Sequence, residues 1–108
     1  MRFGERVRQL RLEKGMTQSE LAVPLDVSMS YICKVENEKL SSGDYPSEKF
    51  IHRLAAELKA DEDDLMMLAG KVPKGIRKQI RRRPGLFQAL AKLDEQSLDR
   101  LTNKLLNK

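Results

Sequence analysis

The sequence predicts an all-α protein, with a five-helix N-terminal domain followed by a helical C-terminal extension. Three observations lead there. Leu, Ala, Glu, Lys and Arg dominate while aromatic residues make up only 5% of the chain, a balance that favours helices over strands. Apolar residues recur three and four positions apart along most of the sequence, which is the helical period. No run alternates apolar and polar residues as a half-buried strand would.

Each helix has its own punctuation. The first is expected from about Arg2 to Lys14, with Phe3, Val7 and Leu10 on one face. Gly15 then supplies the left-handed stop that glycine adopts without strain. The second opens at a T-x-x-E capping box, Thr17 and Glu20, with Met16 and Leu21 placed as a hydrophobic staple. It runs to about Leu25. Pro24 removes a backbone donor and should distort its last turn. Asp26 tolerates the turn conformation that follows. Ser28 caps a third helix whose inward face is Ile32 and Val35. Residues 37–47 read as a polar loop. A fourth helix presents Phe50, Leu54 and Leu58. A fifth opens at Asp61 with an acidic first turn, carries Leu65, Leu68 and Ala69, and stops at Gly70.

After Pro73 the composition shifts. Residues 74–82 predict a short basic helix ending before Pro84. Leu86, Phe87 and Leu90 suggest another. Asp94 caps a last one with Leu98, Leu101 and Leu105 at helical spacing. The expected division is therefore residues 1–70 and residues 71–108.

A chain of 108 residues can support one modest core. Its single cysteine, Cys33, excludes an intramolecular disulfide and a cysteine-based zinc cluster, and suits a reducing compartment, the cytoplasm. No apolar run approaches the roughly 20 residues of a membrane span. The start, Met1 to Arg6, lacks an apolar stretch, so no signal peptide is expected. The net charge is +5, which admits nucleic acid as a partner. Its distribution is uneven. Residues 1–70 hold 10 Lys/Arg against 13 Asp/Glu, whereas residues 71–108 hold 11 against 3.

Two short helices joined by a tight turn, opening at Thr17 and Ser28, fit a helix-turn-helix over about residues 17–36. A helix in the major groove must be held at fixed depth and angle, and a second helix packed across it does that. Ile32 and Val35 anchor the reading helix, which leaves Met29, Ser30, Cys33, Lys34 and Asn37 outward or nearly so.

The run Leu10-Arg11, Gly15 to Ala22, Val27-Ser28 and Tyr31 to Asn37 resembles the phage repressor/Cro-type helix-turn-helix regulators, the XRE family, over about residues 3–70. The resemblance implies a repressor-like domain and a set of roles. Gln18 matches the glutamine that holds DNA phosphate and buttresses the reading helix. Met29, Ser30 and Lys34 match positions that meet base edges. Ser28 and Asn37 match positions beside the backbone, and the Tyr31 hydroxyl is a candidate for phosphate if its ring is half-packed. Arg11 and Glu36 match a structural ion pair. Asp26 departs from the family's usual turn glycine.

Other features receive plainer readings. His52 has no partner at metal spacing, and Asp61 to Asp64 lack the glycine and terminal glutamate of a calcium loop. No metal and no cofactor are expected. Lys71, Lys74, Arg77, Lys78, Arg81, Arg82 and Arg83 form a cationic run without an acid. It admits a solvated face, a strap along the DNA backbone, or a contact with a partner. Leu98, Leu101 and Leu105 are expected to form a homodimer surface.

No catalytic triad or glycine-rich phosphate loop is present, so no enzyme is expected. The resemblance implies a regulator of transcription, most often a repressor. It would bind a near-palindromic operator as a homodimer, its reading helices about 34 Å apart. The alternative is an antitoxin-type autoregulator whose C-terminal helices hold a partner protein.

Overall fold

A computed structural model of the chain describes residues 1–40 and 46–107. It divides into two compact units, Met1–Pro73 and Lys74–Lys108. The described residues are helical or irregular, with no strand among them. The expected 37–47 loop falls partly outside the described residues.

The first unit holds α1 (Phe3–Glu13), α2 (Gln18–Leu25), α3 (Met29–Glu36), α4 (Glu48–Leu58) and α5 (Glu62–Leu68). Helix boundaries follow local chemistry. The Thr17 hydroxyl accepts from the Glu20 amide and the Glu20 carboxylate accepts from the Thr17 amide, which completes the capping box of α2. Ser28, Ser47 and Asp61 cap α3, α4 and α5, each accepting from the amide three residues on. Arg2 and Lys14 flank α1 as caps, and Asp61 precedes α5, so these helices are slightly shorter than their sequence patterns.

Helix α2 continues through Pro24 to Leu25. The missing Pro24 donor falls where the helix is about to end, and the Asp26 amide is shared between the Ala22 and Val23 carbonyls. Asp26 itself takes the left-handed conformation, φ 56° and ψ 45°. That reverses the chain from α2 into α3 without a glycine.

One core joins all five helices. Val7 of α1, Leu21 and Leu25 of α2, Ile32 of α3, Ile51, Leu54 and Leu58 of α4 and Leu65 of α5 are at most 1% exposed. Burying each such side chain contributes about 1.5–3 kcal/mol. Helix α3 packs on α1 and α2, and α2 packs on α4, so the core grips α3 along its inner flank only.

The second unit holds α6 (Lys74–Arg82), α7 (Pro84–Lys92) and α8 (Glu95–Leu106). Pro84 sits in the first turn of α7, where its missing donor costs nothing. The Asp94 carboxylate caps α8 by accepting from the Ser97 amide at 2.7 Å. None of these three helices has a buried residue.

Candidate nucleic-acid interface

Helix α3 has two distinct flanks. Ile32 and Val35 are 0% and 2% exposed, while Ser28, Met29, Ser30, Lys34 and Asn37 are exposed. Cys33 is half-buried beside them. The helical period produces this division: residues three apart share the core side, and those between them face out.

Four groups hold the helix at its angle. Arg11 of α1 and Glu36 of α3 form a two-pronged ion pair, Nε to Oε2 at 2.6 Å and Nη2 to Oε1 at 2.9 Å. The third prong of the guanidinium, Nη1, donates to the Met16 carbonyl at 2.7 Å. Gln18 Nε2 donates to Glu36 Oε1 at 3.1 Å. The pair is buried, with Arg11 7% and Glu36 6% exposed. Its hydrogen bonds to Glu36 raise the Arg11 pKa against the opposing effect of burial. One carboxylate thus fastens α1, α2 and α3 together.

Gln18 is half-buried at the first turn of α2, held by Glu36 through one amide hydrogen. Tyr31 is also half-buried, its ring edge-on to Phe50 with centroids 5.3 Å apart. Asn37 ends α3 with its side-chain amide donating to the Cys33 carbonyl at 2.8 Å. Leu98 and Leu101 are half-buried within the second unit, whereas Leu105 is exposed. Lys74, Arg77, Lys78, Arg81 and Arg82 are all exposed.

Several contacts of the site carry no signature in the sequence. The Ser19 hydroxyl donates to the Met29 thioether at 3.1 Å, which restrains the long, otherwise pliant Met29 side chain on the outer face. Glu38, just past α3 and in the left-handed conformation at φ 56°, accepts from the Gly4 amide at 2.7 Å. Arg53 of α4 donates to the Pro24 carbonyl at 3.2 Å. His52 Nδ1 lies 2.5 Å from Glu62 Oε1, an exposed link between α4 and α5.

Among the described residues no group of three or more His, Cys, Asp or Glu side chains is arranged to hold a metal ion. No helix there is long and apolar enough to cross a membrane. What the first unit offers is a rigid rod with one free flank, held by two crossing helices.

That is the architecture of a helix-turn-helix module. Residues 2–66 match the family model described as a helix-turn-helix domain, and the chain belongs to that family. Two curated proteins of Bacillus subtilis (strain 168) are similar: the uncharacterized HTH-type transcriptional regulator RghRB and the HTH-type transcriptional repressor RghR. Each is 37% identical over 70 residues, 65% of this chain and respectively 48% and 50% of theirs. The chain therefore spans about half the length of the curated relatives it matches. A solved structure titled SinR protein/SinI protein complex is similar in fold, with a TM-score of 0.53 at 22% identity over 95% of this chain and 93% of that one.

Proposed function

We propose that this protein regulates transcription, as a repressor, by placing α3 in the major groove of a specific duplex. The observation that carries the reading is the split of α3 into a core-locked flank and a free one bearing Met29, Ser30, Lys34 and Asn37. The names of both bacillary relatives, a transcriptional regulator and a transcriptional repressor, support it. Lys34 donates to guanine O6 or N7, Ser30 donates or accepts, and Met29 meets a thymine methyl. Gln18, Ser28, Asn37 and the Tyr31 hydroxyl hold phosphates on either side.

Few of these groups discriminate strongly between bases, so DNA shape supplies part of the specificity. The protein acts as a homodimer on a near-palindromic operator, with half-sites one helical turn apart. Three C-terminal helices without one buried residue support the dimer. Leu98, Leu101 and Leu105 on α8 are the apolar surface that a second copy would cover. The same surface favours the second reading, an autoregulator whose α8 holds a different protein.

Selection of bound sequences from a random duplex pool tests the reading, followed by affinity measurement on the selected duplex. An inverted repeat is expected, and Lys34→Ala should weaken binding to it by about 1–3 kcal/mol. A pool that never enriches would sink the reading. Sedimentation of the full chain separates the two partner readings. A dimer that Leu101→Asp dissociates supports self-association. A monomer captured by a second cellular protein supports the alternative.

A further inference from the structure

We propose that α6 is a second DNA contact, a cationic strap that lies on the phosphate backbone outside the half-site read by α3. It rests on the duplex-binding reading above and extends it to the other unit of the chain.

Helix α6 carries Lys74, Arg77, Lys78, Arg81 and Arg82, every one exposed. At about 100° per residue these five side chains fall within an arc of roughly 140°. Ile76 and Ile80 lie on the other side of the helix. Neither α6 nor α7, the helix packed against it, contains an acid. The sequence has no Asp or Glu from Leu65 to Leu93.

This arrangement works against the helix itself. Lys74 and Lys78, Arg77 and Arg81, and Lys78 and Arg82 are like charges four residues apart, a spacing that destabilises a helix. Lys74 also stands in the first turn, where the helix dipole favours an anion, while only Arg81 and Arg82, in the last turn, suit the dipole. A solvated face would be better served by alternating signs, as on α8, where Glu95 and Asp99 accompany Arg100 and Lys104. A one-sided cationic arc is stabilised instead by a polyanion.

The other unit needs what α6 offers. Residues 1–73 hold 11 Lys/Arg against 13 Asp/Glu, and residues 74–108 hold 10 against 3. The domain that reads DNA is thus net negative, and the cations of the second unit add long-range attraction toward a duplex that its net charge does not supply. Only five residues separate Leu68, the end of α5, from Lys74. Once α3 is seated, so short a tether keeps α6 at high effective concentration over neighbouring phosphates. Phosphate contacts by Lys and Arg fix register and add affinity without reading bases.

The test compares wild type with a variant in which the five cations become Gln, a residue of good helix propensity. Affinity for a fluorescein-labelled mixed-sequence 40-base-pair duplex is followed from 50 to 200 mM KCl. Each lost phosphate contact lowers the log–log salt slope by about 0.9, so the variant's slope should be shallower by about 4.5. Across that range wild type should lose roughly 100- to 1,000-fold more affinity than the variant. An unchanged slope overturns the strap. An unchanged slope with loss of the dimer in sedimentation reassigns α6 to a protein contact and overturns it equally.

Should the five-fold variant fail to fold by circular dichroism, acetylation of the wild-type protein decides. The duplex should protect Lys74 and Lys78 from acetic anhydride, and equal labelling with and without duplex overturns the strap. Failure of the strap stays separable from failure of the regulator reading. In the first case wild type still binds its selected duplex and Lys34→Ala still weakens it. In the second, wild type binds no duplex at all.

Discussion

Glu38 caps α1 from the far end of α3: its carboxylate accepts from the Gly4 amide at 2.7 Å, across 34 positions of sequence. The first turn of α1 has no side-chain cap of its own, so a residue beyond the reading helix fills that role. The approach is close. A Cβ on Gly4 would lie 2.3 Å from the Val35 carbonyl oxygen and 2.7 Å from that of Glu36.

Gly4→Ala should therefore destabilise the first unit by about 1–3 kcal/mol through overpacking, although alanine is the better helix former. Gly75→Ala in α6 is the control. Its Cβ meets nothing within 4 Å, so the same change should stabilise that helix by up to about 1 kcal/mol. Removing the cap with Glu38→Ala should cost about 0.5–2 kcal/mol. Urea unfolding of the three variants checks all three signs.

A double-mutant cycle at Arg11 and Glu36 should be strongly non-additive. Either single truncation leaves a buried charge without its partner and should cost about 3–5 kcal/mol. Replacing both, with Arg11→Met and Glu36→Leu, should recover most of that stability. Melting temperature reads the stability. DNA affinity of the double variant should stay reduced even if stability returns, because Gln18 loses the carboxylate that holds it.

Acid should loosen α8 before it unfolds the core. Hydrogen bonds from Ser97, its backbone amide foremost, hold the Asp94 carboxyl below the ordinary aspartate range. A depressed folded-state pKa gives stability that is present above the unfolded value, near 3.9, and is lost as pH falls through the folded one. The Glu20 carboxyl is lowered in the same way, first by the Thr17 amide and then by its hydroxyl. Protection factors of the amides in the first turns of α8 and α2, taken against the intrinsic exchange rate at each pH, should fall on descent from pH 5 to pH 2. Asp94→Ala should show fast α8 exchange already at pH 6 and converge with wild type at pH 2. Equal exchange at pH 6 would contradict the cap's role.

Local signals made most of the fold legible. The Thr17–Glu20 box, the Ser28 and Asp94 caps, Gly15 and the acidic opening of α5 act within four residues, so the sequence displays them directly. The inward faces of α1 to α4 followed from helical spacing for the same reason, whereas α5 turns Leu65 and Met66 inward and leaves Leu68, expected beside Leu65, 37% exposed. The bracing of the site was less legible. Arg11 and Glu36 are 25 positions apart, and only the family resemblance paired them. Glu38 with Gly4, Ser19 with Met29 and Arg53 with the Pro24 carbonyl had no such guide. Each depends on how whole helices pack, and a left-handed glutamate at position 38 has no propensity to announce it.

Amide chemical-shift mapping on the full chain, with the duplex selected from the random pool, tests most directly whether the outer flank of α3 enters DNA. Shifts should concentrate at Thr17 to Ser19, at Ser28 to Lys34 and at Asn37, and leave the outer faces of α4 and α5, such as Glu57 and Asp63, undisturbed. Perturbations confined to α4 and α5, with Met29, Ser30 and Lys34 unmoved at saturation, would contradict it.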